Sequence, residues 1–187
     1  MNYKEAFIAT IKEIIQTALI SLGIFLFVYV FLVQPHRVQG VSMVSSFENG
    51  ELLLTEKISY KVSNIQRGDI VVFEAPVDRK ADFIKRIIAL PGENVEIKES
   101  KVFINGSQLA ESYIFSPTEG AINITLERDE FFVLGDNRLA SSDSRSFGSI
   151  KRKSIKGKVW LVYWPIFRSN NYDGARFISH ANYSIPD

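Results

Sequence analysis

The stretch FIKRIIALPGENVEIKESKVFING, residues 83–106, decides the fold class because its pattern is that of β-structure. An apolar run at 83–90 is closed by Pro91-Gly92, and two further runs, 95–98 and 102–106, alternate polar and apolar residues with turn residues between them. Alternation with a period of two places successive side chains on opposite faces of a sheet, and proline and glycine mark turns. The stretch therefore predicts one apolar strand followed by a hairpin.

Other short apolar runs lie on both sides of this stretch. They occupy 51–55, 70–73, 130–134 and 158–163, and turn residues separate them. Many short strands divided by such turns are typical of an all-β domain, built as a barrel or as a pair of packed sheets. We therefore expect a mainly β, antiparallel and compact domain, with no periodic helix in this part of the chain.

A membrane-length apolar run, IIQTALISLGIFLFVYVFLV at 14–33, precedes the β region. It contains no charged residue, and at about 1.5 Å per residue a helix of this length spans the roughly 30 Å hydrocarbon core of a bilayer. A cleaved signal peptide would have a shorter apolar core followed by a small-residue cleavage site. Lys4 and Lys12 precede the run and Arg37 follows it, a balance that slightly favours a cytoplasmic N-terminus. The run predicts a single transmembrane helix.

These patterns divide the chain into four regions. They are a short N-terminal tail (1–13), the transmembrane helix (14–33), an extracytoplasmic β-domain (34–167) and a polar C-terminal tail (168–187). The tail is rich in Asn and Ser, so we expect it to be loosely held. The β-domain is long enough to enclose a core and is the expected catalytic domain.

Composition argues against several kinds of site. The 187 residues include no cysteine, which excludes disulfides, thiolate metal sites and a cysteine nucleophile. Only two histidines occur and there is no HExxH motif, which argues against a histidine-based zinc site. The net charge of +1 gives no basic surface for nucleic acid. We therefore expect no cofactor, no metal and no nucleic-acid partner.

Two residues could carry acyl-transfer chemistry without a histidine. Ser42 lies between the transmembrane run and the first predicted strand, and Lys85 lies within the apolar run at 83–90. A serine hydroxyl needs a base to attack a carbonyl, and a neutral lysine can replace histidine in that role. Burial among apolar neighbours lowers the pKa of a lysine from about 10.4. Taken singly, Ser42 fits a solvated loop serine and Lys85 a charge at the rim of a sheet.

Three motifs in a fixed order change that interpretation. They are Ser42-Met43, the block IKRIIALPGE at 84–93 and the block GDNRLASSDSRSFG at 135–148. In this order the motifs resemble bacterial type I signal peptidases, membrane-bound serine proteases that remove signal peptides from exported proteins. The resemblance runs from the transmembrane run to about Phe167. The short segment between the second and third blocks resembles the small Gram-positive type, which lacks an additional large β-domain.

The resemblance implies a role for each matching position. Ser42 matches the nucleophile, Lys85 the general base, and Ser141 the serine that orients the lysine. Asp143 and Arg145 match a structural ion pair that supports the lysine-bearing region. The positions that match the substrate groove are Val38, Gln39, Gly40, Met43, Phe47, Asp82, Phe83 and Ile84, with 82–84 expected to pair with an extended substrate. The implied partners are signal-peptide-bearing preproteins and the lipid bilayer, and the implied location is the plasma membrane.

One segment departs from the family pattern and leaves other interpretations open. The family follows Ser-Met with any residue and then Pro-Thr-Leu, whereas this chain has Val44-Ser45-Ser46-Phe47. This favours, as an alternative, a signal-peptidase-like assembly factor or chaperone for pilus subunits with weak or no proteolysis. A membrane-anchored β-domain without enzymatic activity is a third interpretation. A protease that depends on His36 is a weaker rival.

Overall fold

The computed structural model describes residues 3–58, 60, 64–78, 80–166 and 175–178, apart from the side chain of residue 5. The chain begins with helix α1 (Tyr3–Phe27), which continues as a short π-helical segment (Val28–Leu32). Strand β1 begins at the next residue. The segment Ala6–Leu32 is long and apolar enough to cross a membrane, and none of it is buried against the β-domain.

The helix is longer than the predicted transmembrane run 14–33. It begins at Tyr3, inside the region that the sequence predicts as a tail, and Val33 already belongs to a strand. Charged residues such as Lys4 and Lys12 interrupt the apolar pattern at this end without ending the helix. The apolar run therefore marks the hydrocarbon-length part of α1 and does not mark where its backbone begins.

Twelve strands follow α1 in the described part of the chain. Their bounds are β1 (Val33–Arg37), β2 (Leu52–Glu56), β3 (Ile70–Glu74), β4 (Asp82–Ala89), β5 (Asn94–Lys98), β6 (Lys101–Ile104), β7 (Ser107–Gln108), β8 (Ile122–Thr125), β9 (Glu130–Leu134), β10 (Ile150–Lys151), β11 (Ile155–Trp164) and β12 (Arg176–Phe177). One short helix, α2 (Ser144–Phe147), lies between β9 and β10. Two 3-10 turns, Arg138–Ala140 and Arg152–Ser154, flank it.

The strands form two antiparallel sheets. The larger sheet has the order β1-β2-β11-β3-β4-β9-β10, with β12 paired to β11, and the smaller has the order β7-β6-β5-β8. The expected fold class, an apolar N-terminal helix followed by a mainly β antiparallel domain, is confirmed. Of the two architectures that the sequence left open, the structure has a pair of sheets.

Strand β4 belongs to the larger sheet, packs against the smaller one at one end and has two different halves. Its C-terminal residues Ile88 and Ala89 are buried in the core of the smaller sheet, with Val95, Ile97 and Phe132. Its N-terminal residues are half-exposed at 82–84. The continuous apolar run that predicted this strand is therefore explained by burial at one end only, and the other end is available to line a site.

The predicted C-terminal tail contains a strand. Arg176 and Phe177 form β12, and the Phe177 ring lies 5.6 Å from the ring of Trp160 on β11. The Ile178 N–H donates to the Trp160 carbonyl at 2.9 Å. The prediction of a loosely held tail is therefore wrong for this segment, because backbone pairing and ring contact fix it to the sheet. The rest of the predicted tail, 168–174 and 179–187, lies outside the described residues.

Candidate active site

Ser42 and Lys85 lie within hydrogen-bond distance of each other. Ser42 stands in the loop between β1 and β2, and Lys85 stands in the middle of β4. The Lys85 Nζ donates to the Ser42 Oγ at 2.8 Å and to the Ile84 carbonyl at 3.1 Å. Lys85 is only 4% exposed. The two residues that sequence analysis singles out for catalysis are therefore brought together, 43 positions apart in the chain.

The surroundings of Lys85 favour its neutral form. Burial lowers the pKa of Lys85 from its ordinary 10.5 to about 8, against the opposing influence of the Asp143 and Asp136 carboxylates. The ring of Phe83 lies 5.4 Å from the Nζ and forms part of this apolar environment. A lysine with a pKa in this range can accept a proton near neutral pH, which an exposed lysine cannot do effectively.

The main chain around Ser42 is fixed on both sides. The Asn137 N–H donates to the Ser42 carbonyl at 3.0 Å, and the Asn137 Nδ2 donates to the Val41 carbonyl at 3.1 Å. After the serine, the Phe47 N–H donates to the Met43 carbonyl at 2.7 Å and closes a turn. Asn137 therefore positions the serine, a role that sequence analysis missed although the residue lies in the block 135–148.

Gly135 allows a close approach between two parts of the site. A Cβ at this position would overlap both the Ser141 side chain and the Ser42 carbonyl oxygen. Only glycine fits here without displacing the loop that carries Ser42. The Ser141 Oγ is buried and makes no hydrogen bond within the described part of the chain. The structure thus places Ser141 beside the loop that contains Ser42, and its role in orienting Lys85 stays a prediction.

Asp143 and Arg145 form the ion pair that the sequence suggests. The Arg145 Nε and Nη2 donate to the Asp143 carboxylate at 2.8 and 2.9 Å. The buried Asp143 also accepts from the Gly135 N–H at 3.1 Å and caps the N-terminus of α2. A further bond from Arg145 reaches the Arg138 carbonyl at 2.6 Å. The pair therefore supports the segment that holds Gly135 and Ser141 against the Ser42 loop.

Ser46, in the segment that departs from the family pattern, belongs to a buried polar network. Its Oγ donates to the Asp136 Oδ2 at 2.5 Å and accepts from the Arg86 Nη2 at 3.0 Å. The Arg86 guanidinium also binds the Asp136 carboxylate through two bonds of 2.8 and 2.6 Å. Because Arg86 follows Lys85 on β4, this network connects the loop that contains Ser42 to the strand that contains Lys85.

Ser45 occupies a backbone conformation that proline cannot adopt. Its φ is +102°, whereas the ring of proline fixes φ near about −65°. The Ser45 Oγ donates to the Tyr113 carbonyl at 2.8 Å, and the Tyr113 ring packs under the Arg86 guanidinium at 4.2 Å. The chain therefore holds the Ser42 loop by side-chain contacts at the position where the family pattern has proline.

Arg176 on β12 reaches the same loop from the C-terminal end of the chain. Its guanidinium pairs with the buried Glu51 carboxylate at 2.7 Å and donates to the Ser46 carbonyl at 2.6 Å. The group also lies 5.6 Å from the centre of the Phe47 ring. Sequence analysis missed this contact because nothing in the pattern near 176 indicates a partner more than a hundred residues earlier.

An open groove of about 270 Å³ reaches Ile84, the residue before Lys85, although neither Ser42 nor Lys85 lines it. It is bounded by the end of β1 and the start of β4, with a floor from β2 and β3. Its lining residues are His36, Arg37, Val38, Gln39, Leu53, Val72, Ala81, Asp82, Phe83 and Ile84. Five of the expected groove residues are among them: Val38, Gln39, Asp82, Phe83 and Ile84.

The other three expected groove residues lie elsewhere. Met43 and Phe47 are each 1% exposed and belong to the core beneath the groove, with Val38 and Leu53. They are apolar residues on the inner side of the loop, so their proximity to Ser42 in sequence does not bring them to its surface. Gly40 lies outside the lining residues at a φ of +88°, and its N–H donates to the Asn49 Oδ1 at 3.0 Å.

The start of β4 has an open edge along the groove. Strand β9 pairs with β4 only from Arg86 onward, while β3 pairs with the opposite edge along 82–86. The backbone of 82–85 therefore faces no other strand of the described chain on the β9 side. An extended peptide can add to such an edge by main-chain hydrogen bonds, with alternate side chains entering pockets.

His36 lies at the other wall of the groove. Its Nε2 is 3.1 Å from the Thr55 Oγ1, and its Nδ1 is 4.0 Å from the Asp82 Oδ2. Burial lowers the pKa of His36, an effect that Asp82 partly offsets. These contacts give His36 no part in the Ser42–Lys85 pair. Within the residues that the structure describes, no three His, Asp or Glu side chains are grouped so as to hold a metal ion.

Comparison with known proteins gives a consistent assignment. The family model described as signal peptidase, peptidase S26, matches residues 11–164. The signal peptidase I of Bacillus caldolyticus is 38% identical over 150 residues, which are 72% of this chain and 81% of that protein. The signal peptidase I P of Bacillus subtilis subsp. natto is 35% identical over 172 residues, which are 86% of this chain and 92% of that protein.

A solved structure also overlaps with part of the chain. The crystal structure of a signal peptidase I from Enterococcus faecalis V583 is 33% identical and covers 52% of this chain and 97% of that chain, with a TM-score of 0.48. The assignment depends on the family model and on the long sequence matches. Because these extend over most of the chain and of its relatives, the chain belongs to the signal peptidase I family, a family of serine endopeptidases.

Proposed function

We propose that the chain is a membrane-anchored signal peptidase in which Ser42 is the nucleophile and Lys85 is the general base. The observation that carries this proposal is the 2.8 Å contact between the Lys85 Nζ and the Ser42 Oγ. The pKa of about 8 for Lys85 supports it, because the neutral amine needed for catalysis is then accessible.

The dyad can move every proton that the reaction requires. Lys85 takes the proton of the Ser42 hydroxyl as the Oγ attacks the scissile carbonyl, and the resulting ammonium gives that proton to the departing amine. A water then loses a proton to the neutral Lys85 and attacks the acyl ester. The ester bond breaks, the new carboxyl terminus leaves, and the lysine returns the proton to the Ser42 Oγ.

The developing oxyanion needs donors that are already in place. The family resemblance assigns one such donor to the Ser42 N–H. The bonds from Asn137 to the Ser42 and Val41 carbonyls hold this part of the backbone in a fixed orientation. The Gly40 N–H is not a second donor in this arrangement, because it is bonded to the Asn49 side chain.

The groove suits an extended, mainly apolar segment ending beside the dyad. Val38, Leu53, Val72 and Ile84 supply apolar lining, and the unpaired edge at 82–85 supplies main-chain hydrogen bonds. Its volume of about 270 Å³ is enough for a few small side chains and not for a folded partner. We expect it to bind the small residues that precede the cleavage site of a signal peptide.

The connection to α1 keeps the dyad near the bilayer. Ser42 stands only ten positions after Leu32, the last residue of the helix. A fully extended chain of that length reaches at most about 35 Å, and β1 occupies half of it. We propose a cytoplasmic N-terminus and a β-domain at the outer face of the plasma membrane, as Lys4 and Lys12 favour.

The full chain, reconstituted in detergent with a preprotein carrying an Ala-X-Ala site, tests the proposal. The unaltered protein should cleave at that site, and both Ser42→Ala and Lys85→Ala should abolish cleavage. Ser142→Ala and Lys101→Ala are matched controls, because both residues are exposed outside the dyad, and they should cleave normally. No cleavage by the unaltered protein, or equal cleavage by the dyad variants, would contradict the proposal.

Pilus assembly without proteolysis is the other interpretation suggested by the segment 44–47. The contacts of Ser45 and Ser46 account for that segment in a different way, as supports of the nucleophile loop. No observation in the described part of the chain favours a pilus partner over a preprotein.

A further inference from the structure

A basic cluster that the proposed peptidase function does not use lies where α1 meets the β-domain. The sequence KRKSIKGK, residues 151–158, contains five cationic residues and no acidic one. In the register of the sheet, the backbone of Lys158 on β11 lies opposite Glu56 on β2. Glu56 in turn lies opposite Val33, the first residue after the helix. The start of β11 therefore lies beside the end of the helix.

A pocket of about 300 Å³ occupies this junction. Val30 and Phe31, in the last turn of the helical segment, form one wall, and Lys57, Arg152 and Lys156 line the other side. The Lys57 N–H donates to the Leu32 carbonyl at 3.0 Å, and its Nζ donates to the Val30 carbonyl at 3.3 Å. Because the wall belongs to the end of a membrane-length helix, the pocket lies at the depth of lipid headgroups.

Three cations and no carboxylate are among the residues that line this pocket. The Arg152 Nη2 donates to the Tyr60 carbonyl at 2.7 Å, and the bond from Lys57 likewise ends on a carbonyl, so neither contact neutralises the charge. Lys156 pairs with the Asp82 carboxylate at 2.6 Å. The pocket thus combines an apolar wall from the helix with an excess of cations, which suits a ligand having a phosphate head and an acyl tail.

We propose that this pocket binds the phosphate of an anionic phospholipid in the leaflet that faces the β-domain. A phosphatidylglycerol headgroup presents its negative charge without an internal counter-ion, whereas the choline of phosphatidylcholine balances its own phosphate. The cations therefore select the anionic lipid. Binding there fixes the height of the β-domain on the membrane, a property separate from the dyad chemistry.

The absence of cysteine allows a direct test on the full chain. A fluorescent donor is attached to Asn64→Cys, an exposed position next to Ile65 of the pocket wall. The protein is placed in phosphatidylcholine nanodiscs that contain a trace of acyl-chain-labelled phosphatidylglycerol or, in a parallel sample, acyl-chain-labelled phosphatidylcholine. Energy transfer should be several-fold greater to the phosphatidylglycerol, since each cation near the surface contributes a factor of about five.

Substitutions that remove or keep the charge of the pocket residues test whether these cations cause the enrichment of phosphatidylglycerol. Lys57→Gln with Arg152→Gln should lower the energy transfer to the phosphatidylglycerol to the level seen with the phosphatidylcholine, while Lys57→Arg with Arg152→Lys should retain the difference. Lys98→Gln with Lys101→Gln makes the same charge change at the distal β5–β6 hairpin and should have no effect. Cleavage of a soluble peptide substrate should be unchanged in all of these variants.

Three outcomes would overturn the proposal. One is equal energy transfer to both labelled lipids. Another is an equal loss of enrichment in the Lys98 and Lys101 control, which would indicate general surface charge. The third is full displacement of the labelled phosphatidylglycerol by millimolar inorganic phosphate, which would assign the pocket to a free anion. None of these depends on whether the chain cleaves a preprotein.

Discussion

Lys85 and Ser42 are brought to the same 2.8 Å contact by two different kinds of structure. Lys85 stands on β4, paired with Val71 of β3, so the register of the sheet fixes its position. Ser42 stands in an irregular loop that depends on contacts from Asn137 and from the distant Arg176. A local pattern therefore positions Lys85, the proposed base, whereas long-range polar contacts position Ser42, the proposed nucleophile.

Removing the base should have the largest effect on activity and little on the fold. Lys85→Met keeps the length of the side chain in a site that is 4% exposed, so we expect unchanged or higher stability because no charge is then buried. The rate of preprotein cleavage should fall by about 10³- to 10⁴-fold, the contribution typical of a general base together with its nucleophile. Thermal unfolding and single-turnover kinetics measure the two effects. A loss of activity that merely follows unfolding would contradict this account of β4.

Crowding the nucleophile loop should have the next largest effect. Gly135→Ala introduces a Cβ that overlaps Ser141 and the Ser42 carbonyl. We expect a loss of stability of about 1–3 kcal/mol and a fall in kcat of about 10²-fold, since small displacements of a reacting group are costly. Gly23→Ala, where a Cβ meets nothing, is the control. Normal activity in Gly135→Ala would show that the loop position is not critical.

Restoring the family residue at position 45 should reduce activity. Ser45→Pro cannot reach a φ of +102° and loses the bond to the Tyr113 carbonyl, so we expect kcat to fall by about 10- to 100-fold. Ser45→Gly adopts this backbone without strain and loses only the bond to the Tyr113 carbonyl, so its kcat should fall by no more than a few-fold. Kinetics on one preprotein compare the two. Higher activity in the proline variant would mean that the loop has a different conformation from the one described.

Removing the contact that Arg176 makes from β12 should have the smallest effect on rate. A second substitution separates its effect on stability from its effect on the position of the Ser42 loop. Arg176→Met removes the guanidinium beside the buried Glu51 and should cost about 3–5 kcal/mol. Adding Glu51→Gln should recover most of that stability. It should not recover kcat, which we expect to remain a few-fold low because the donor to the Ser46 carbonyl is still missing. Full recovery of kcat in the double variant would indicate a purely structural role.

The parts of the molecule that a local pattern specifies were predictable from the sequence. The alternating and apolar runs predicted β4, β5, β6 and β9 to within a residue or two, because period-two burial is a local property. The same pattern placed Lys85 inside a strand. Helix α1 begins earlier than predicted because the apolar residues mark only the part of the helix that spans the hydrocarbon core. Polar and charged residues such as Lys4 and Lys12 extend the same helix beyond that part.

The parts that depend on distant contacts were not predictable. Asn137 and Gly135 act on the Ser42 loop across about ninety positions, and no periodicity reports such contacts. The family resemblance assigned Met43 and Phe47 to the groove, whereas the structure buries their side chains in the core beneath it. β12 was missed because two residues give no pattern, although Arg176 fixes it to a buried carboxylate.

The most direct test of the central claim, that burial makes Lys85 a neutral base, is the pH dependence of kcat/KM for preprotein cleavage. Burial lowers the pKa of Lys85 to about 8, and the active form is the unprotonated amine. Activity should therefore rise about tenfold per pH unit below that value and level off above it. A profile that is flat between pH 6 and 9, or one that keeps rising toward the ordinary lysine pKa of about 10.4, would contradict the account.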